Sequence, residues 1–418
     1  MVKVALIVML CLSGALAIDF SSKHWWKEVT KPLVEFRGKT LYFCTLTCPL
    51  VGLHEALYNP IASLRSIMVK HISVHLSMTS DEDCKSKAAE IVAAIKPDWK
   101  EPLSFQYFED GISNKILSCW SGTDKENRVL FCIYGQNTEI MIDRTVALSN
   151  WQMLSDHGRA APIYCTFDNG VAYEFIPGVT LDVDTVRDPH IGKLVAEAIV
   201  DLHTVPLGPE HTIDTSLLQH KLKIFIDVLP EKFNDPKQQE KYQNEYPSKA
   251  EVLSEYNYIL SRIADLPGEQ EIVFCHNDLL LNNLIYNKDK DCVKIIDYEY
   301  ASCNYQAFEI ADHFAEFGGL NLEFDRYPDL AFQRAWLKPY LEGYRAARKQ
   351  PPPTDADYDA FLISVNFFAP VAHFFWSIWA LIQAANSLID FDFLEYGILR
   401  MKEYYKMKPT HIEAALKK

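Results

Sequence analysis

Between Ile272 and Glu316, two short apolar runs each stop at a cluster of oxygen-bearing side chains. The first, Ile272-Val273-Phe274-Cys275, breaks at His276-Asn277-Asp278, and Asn283 follows in the same loop. The second, Val293-Lys294-Ile295-Ile296, ends in Asp297-Tyr298-Glu299-Tyr300. Short apolar runs bounded by polar loops read as buried strands. The pattern is therefore strand, polar loop, strand and acidic end, and loops held between rigid strands can converge on one point. Oxygen donors gathered there suit the movement of a phosphoryl group, which asks the protein for positioning and charge neutralisation more than for covalent chemistry. One carboxylate must orient the attacking hydroxyl and accept its proton, and Asp278 is the candidate. Asn283 and Asp297, with Glu299, are candidate ligands of Mg²⁺, which takes few protein oxygens and keeps waters and phosphate for the rest. A lone His-x-Asp is more often a turn or a cap; the ordered set carries the reading. His276 itself reads as a structural hydrogen-bonding residue of the loop, not as a base.

The set His276-x-Asp278-x4-Asn283 followed by Asp297 resembles the catalytic loop and metal-binding Asp of protein-kinase-like phosphotransferases. The longer run Ile296-Asp297-Tyr298-Glu299-Tyr300-Ala301-x-x-Asn304-x-x-x-Phe308-Glu309-Ile310-Ala311-Asp312-His313-Phe314-x-Glu316 is similar to the signature of choline and ethanolamine kinases. The similarity runs from about Ser77 to about Pro409. Leu279-Leu280 resembles the ethanolamine branch, because choline kinases tend to carry a polar residue where Leu280 stands. Glu309 departs from the family's usual Asp.

The resemblance implies an α+β, two-lobed protein-kinase-like fold, with a β-rich N-lobe over 77–176 and a mainly helical C-lobe over 177–418. It implies ATP as co-substrate, Mg²⁺, and ethanolamine as the acceptor, giving phosphoethanolamine, the first step toward phosphatidylethanolamine. Ser113, Asn114 and Lys115 would touch the phosphates. The backbone near Glu174 and Ile176 would meet adenine, and Tyr300, Glu316, Trp376, Trp379 and Tyr396 would line the amine pocket. Choline kinase is the alternative within the fold, and a homodimer is left open.

One departure bears on activity. The family usually places an Arg where Cys132 stands, with an acidic partner near Val146 and Ala147, and neither half is present. Losing both leaves no buried charge unpaired, but it removes a cation from the phosphates. Arg128, Lys115 and Arg144 are the candidate stand-ins. A catalytically weakened pseudokinase is the reading of another class that this departure raises.

The chain of 418 residues can hold two lobes, and its formal net charge of −15 argues against a nucleic-acid groove, which needs basic clusters. Cys132, Cys165 and Cys275 sit inside apolar runs, as reduced core thiols do. Cys44-x3-Cys48 has no second Cys or His pair at zinc spacing. These features point to a reducing, cytoplasmic setting. Residues 1–17 disagree. Lys3, the apolar run Val4 to Leu12 and the small-x-small Ala15-Leu16-Ala17 make a secretory-signal pattern. A secreted binding protein is the rival reading that follows. Residues 18–76 resemble nothing in the family and form an unassigned extension, with Met78 an alternative start.

Along the chain, Asp81 to Ile95 carries apolar residues at helical spacing. Phe105 to Phe108 and Ile116 to Trp120 read as a hairpin over a 110–115 turn, followed by strands over 129–134, 163–167 and 171–176. The spacing predicts helices over 191–203, 221–228 and 250–263, a polar surface excursion over 230–247 and a proline-rich linker over 348–354. Val365 to Gln383 is apolar enough to suggest a membrane span, but Asn366, Pro370, His373 and Gln383 interrupt it and a buried helix is expected. Trp376 and Trp379, three apart, would share a face, and an aromatic wall attracts ammonium groups.

Overall fold

The structure is a computed structural model that describes residues 69–413, apart from 101, 109–113, 136–137, 209–211 and 388. The signal-like segment, the extension up to residue 68 and Ser113 lie outside the described residues. In chain order the first half comprises β1 (His71–Ile72), α1 (Asp81–Ile95), β2 (Leu103–Phe108), β3 (Asn114–Ser121), β4 (Arg128–Tyr134), α2 (Arg144–Asp156), β5 (Ile163–Phe167) and β6 (Gly170–Glu174). The second half comprises β7 (Val179–Thr180), α3 (Pro189–His203), α4 (Leu222–Val228), α5 (Pro236–Glu245), α6 (Lys249–Ile263), β8 (Ile272–Cys275), β9 (Leu284–Asn287), β10 (Cys292–Ile295), β11 (Ser302–Tyr305), α7 (Gln306–Ala315), α8 (Leu330–Ala347), α9 (Asp355–Asn386) and α10 (Phe393–Lys408).

The N-lobe is a sheet in the order β1-β5-β6-β4-β3-β2. Alternation puts Leu117 and Cys119 of β3 and Val129, Phe131 and Ile133 of β4 on its buried face. Helix α1 covers that face with Cys84, Ala88, Ile91 and Val92. Its start is set by Ser80, whose hydroxyl accepts from the Asp83 N–H, and by three acidic residues in the first turn, which suit a helix N-terminus. The sheet begins earlier than the sequence suggests. β1 pairs in parallel with β5, and the Asn169 side chain bonds both the N–H and the C=O of Leu76. Residues 71–76, read as extension, therefore belong to this lobe, and a chain starting at Met78 would lack them. β3 also starts earlier than expected, because it already includes Asn114 and Lys115.

The C-lobe is mainly helical. α9 opens on an acidic, exposed first turn, and its residues from Val365 to Gln383 are buried apart from Asn366. Among the described residues it is the one helix long and apolar enough to cross a membrane, yet it is packed inside the protein. At Gly397 a Cβ would lie 2.3 Å from Leu381 Cδ2 and 3.1 Å from Ser377 O, so α10 can close onto α9 only there with glycine. Two small sheets hold the polar loops: β8 pairs with β11, and β9 lies between β7 and β10. The hinge after β6 presses against β9 at Gly178 (φ +147°), where a Cβ would meet Tyr286 O at 2.6 Å. The 230–247 stretch is not only a surface excursion. It contains α5, capped by Asp235 with Pro236 at its first position, and it buries Tyr242 and Tyr246. All seven described cysteines are free thiols, and six are buried.

Candidate active site

The β8–β11 ladder carries the His276-Asn277-Asp278 turn. Asn277 sits at φ 66°, a left-handed conformation that costs a non-glycine residue energy unless its surroundings hold it. Its N–H donates to Glu309 Oε2 at 2.7 Å and the His276 N–H to Glu309 Oε1 at 2.6 Å. The Asn277 Nδ2 donates to Tyr300 O at 3.0 Å, and its Oδ1 accepts from Asn304 at 2.9 Å. Glu309, with Glu in the place of the expected Asp, is fully buried and clamps both backbone amides of the turn. His276 reaches Ile296 O at 2.8 Å through Nε2, accepts from the Asp278 N–H at 3.3 Å, and has its pKa lowered by burial. A neutral imidazole tying the two loops together matches the structural reading of that residue.

Asp278, Asn283, Asp297 and Glu299 line one cavity of about 360 Å³, together with Tyr300, Glu316, Trp376, Trp379 and Tyr396. Asn283 Nδ2 donates to Asp278 O at 2.8 Å, which turns its Oδ1 to the opposite side of the amide. Asp297, like Asn277, is left-handed at φ 66°. Burial, then the neighbouring Asp312, Asp297, Glu316 and Glu299 charges, push the Asp278 carboxyl well above the usual range. Asp297 is pushed upward too, by the protein crowded around it and by Glu299, although its own surface is open to solvent. Carboxylates so crowded favour a cation among them.

In the same cavity the aromatic residues fix one another. The Trp379 indole donates to the Tyr300 hydroxyl at 2.7 Å, and that of Trp376 to Asp312 Oδ1 at 2.7 Å. Tyr300 and Trp379 each meet the Trp376 ring edge-on at 5.5 Å. Glu316 Oε1 lies 2.7 Å from Arg400 Nη2 in a fully buried ion pair, and its Oε2 has no hydrogen-bond donor. Arg400 spends its other donors on Tyr396 OH, at 2.6 Å and 3.1 Å, and on His373 Nδ1 at 3.2 Å.

Not every candidate reaches the cavity. Asn114 lines it, donating to Glu299 Oε2 at 2.9 Å. Lys115, the next residue along the strand, turns the other way. Its ammonium bonds Asp81 at 3.1 Å and sits over the Tyr107 ring. Glu174 ends β6 with an exposed side chain accepting from Tyr164 OH at 3.2 Å, and Ile176 lies in the connection that follows. Of the three stand-ins for an Arg at position 132, Arg144 reaches the site: Nη1 donates to Glu299 Oε2 at 2.9 Å and Nη2 to Thr138 Oγ1 at 2.6 Å. Arg128 donates to Lys125 O and stacks on Phe175. Cys132 itself is buried, and burial pushes its thiol pKa well up.

Sequence reasoning did not single out Asp312 or Arg400. Asp312 lay inside the quoted signature, and Arg400 lay outside every motif named there.

Comparison with known proteins matches residues 105–405 to the Choline/ethanolamine kinase family. Ethanolamine kinase 1 of Mus musculus is 36% identical over 344 residues, covering 82% of this chain and 94% of the mouse protein. A probable ethanolamine kinase of Nematostella vectensis is 39% identical over 348 residues, covering 81% of this chain and 97% of that protein. Among solved structures, an ethanolamine kinase of Plasmodium vivax superposes with a TM-score of 0.68 at 22% identity, over 79% of this chain and 90% of that one. A choline kinase of Cryptosporidium parvum gives 0.63 at 21% identity, over 79% and 97%. These last two likenesses establish the two-lobed kinase-like fold, and the sequence matches establish descent: the chain belongs to the choline/ethanolamine kinase family.

Proposed function

We propose that the protein transfers the terminal phosphoryl group of ATP to the hydroxyl of ethanolamine, giving phosphoethanolamine and ADP. The observation that carries this reading is one cavity lined both by Asp278, Asn283 and Asp297 and by an aromatic and acidic wall. The substrate oxygen attacks the terminal phosphorus, the bond from that phosphorus to the bridging oxygen of ADP breaks, and the hydroxyl proton passes to Asp278. A carboxylate whose proton affinity is raised by burial and like charges is a better acceptor than an exposed one.

The donor set fits Mg²⁺. Asn283 Oδ1, the Asp297 carboxylate and Glu299 Oε1 are hard oxygens lining one space, and none makes any of the hydrogen bonds described above. Mg²⁺ held there would neutralise charge on the phosphates. Asn114 and Arg144 fix the Glu299 side chain by its other oxygen, Oε2.

The amine end favours a primary ammonium over a quaternary one. Glu316 Oε1 is paired with Arg400, which leaves its buried Oε2 without a donor, and an ammonium N–H can fill that need. The rings of Tyr300, Trp376 and Trp379 add cation–π attraction, which either ammonium would feel. Leu280 lines the same cavity.

Turnover of the purified full chain with ATP and Mg²⁺, comparing ethanolamine with choline, tests the reading. A higher kcat/KM for ethanolamine is expected, and a preference for choline would overturn the acceptor. Asp278→Asn should lower kcat about 10²- to 10⁴-fold and leave the chain at least as stable, because it removes a buried charge. Unchanged turnover would remove Asp278 from the mechanism.

A further inference from the structure

Three described cations lie in or beside the cavity wall, and two are committed to carboxylates. Arg144 pairs with Glu299 at 2.9 Å, and Arg326, in the cavity wall, pairs with Glu323 at 3.0 Å. The third is Lys221. Among the described residues its ammonium makes no ion pair and no hydrogen bond. It lies instead over ring faces, 5.4 Å from the centroid of Tyr300, a cavity residue, and 5.9 Å from that of Phe225. The side chain is largely sheltered and feels the charges of Glu299, Asp143 and Arg144. Its backbone closes the π-helical turn Leu217–Lys221 that leads into α4, a local irregularity often found where a side chain must be re-aimed.

This placement meets a deficit on the same side of the molecule. Position 132, where the family resemblance leads one to expect an Arg, holds a buried thiol that carries no charge. Lys115 is turned outward onto Asp81, and Arg128 is held by Lys125 O. A triphosphate reacting in a sheltered cleft needs positive charge that is not already neutralised. Lysine is a compact charge on a flexible four-carbon stem, and Lys221 would give up only ring contacts in turning to an anion.

We propose that Lys221 is a phosphate-facing cation of the nucleotide site, contacting the terminal phosphoryl oxygens of ATP and supplying charge that Cys132 cannot. The inference rests on the ATP-using reaction proposed above and extends it to a residue outside the kinase motifs. It also bears on the pseudokinase alternative, because a site with a replacement cation need not be weak.

The test is calorimetric binding of Mg·ATP and of AMP to the full chain and to Lys221→Met and Lys221→Arg. Lys221→Met should weaken Mg·ATP about 10- to 100-fold while AMP, which lacks the terminal phosphates, stays within about twofold. Lys221→Arg should restore most of the loss, which a purely structural role would not predict. Equal weakening of both nucleotides, or of neither, overturns the proposal. Should the Met variant fold poorly, Lys221→Gln, which keeps a polar end without the charge, gives the same comparison. Failure of the unsubstituted chain to phosphorylate ethanolamine would sink the proposed acceptor while leaving this nucleotide comparison intact.

Discussion

Two arginine–glutamate pairs each give their carboxylate to the cavity wall, and their surroundings make them different devices. Arg144–Glu299, at 2.9 Å, keeps side-chain exposures of 20% and 7%, and the guanidinium rests on the Tyr134 ring at 4.0 Å. Arg400–Glu316, at 2.7 Å, is at 1% and 1%. Water can reach the first pair and share its charges, so either partner can turn to a ligand at modest cost. The second has no such relief, and removing one member strands the other in a medium that cannot solvate it. The first pair suits an end where phosphates arrive and leave. The second suits a wall that must keep its shape while a small ammonium comes and goes.

The largest effect expected from breaking this contrast is on stability. Arg400→Met should destabilise the chain by about 3–5 kcal/mol, the cost of leaving one buried charge unpaired. It would also release Tyr396 and His373, both bonded to that guanidinium. Denaturant unfolding of the variant measures the loss. The double variant Arg400→Met with Glu316→Gln should recover a large part of it, because no lone charge then remains. If Arg400→Met unfolds at the same midpoint as the unsubstituted chain, the two pairs are not distinguished by burial.

Arg144→Met should sharpen the comparison from the other side. Its stability should change by about 1 kcal/mol or less, since the pair is partly wet. Its kcat/KM for ATP should fall about 10- to 100-fold, because Glu299 would lose the partner that holds it beside Asp297. A variant that is strongly destabilised but turns over normally would reverse the assignment.

The site was legible where chemistry and chain are local. Asp278, Asn283 and Asp297 lie on short loops between strands, so their convergence follows from the strands themselves; helical spacing puts Trp376 and Trp379 on one face, and the family resemblance pointed that face at the amine. Arg400 was not legible because its partner Glu316 lies at the end of α7, and the two meet only because α7 and α10 both pack on α9. Asp312 stood in the quoted signature, but nothing in a sequence says that a carboxylate will receive an indole N–H from a helix far along the chain. Single strands and helices were readable from apolar runs, and their two-lobed arrangement from the family resemblance. Its edges were not: β1 is two residues long and is held by pairing with β5, a contact that no local pattern announces.

Asn114 and Lys115 show how one misplaced boundary changes the chemistry. Taken as a loop over 110–115, both could turn to the phosphates. Taken as the start of β3, adjacent side chains must point to opposite faces, so only one can. The structure starts the strand at Asn114, gives Asn114 to Glu299, and gives Lys115 to Asp81 and Tyr107. The smallest predicted effect follows. Lys115→Met should leave kcat/KM for ATP within about twofold and move the unfolding midpoint by no more than about 2 °C, as expected for an exposed pair. Asn114→Ala, one residue away, should lower kcat/KM for ATP, because Glu299 loses a donor and Arg144 a 3.3 Å acceptor. The two variants assayed side by side read the strand's alternation as kinetics. A larger loss at Lys115 than at Asn114 would mean that the strand begins later when nucleotide is bound and that the lysine turns inward to the phosphates.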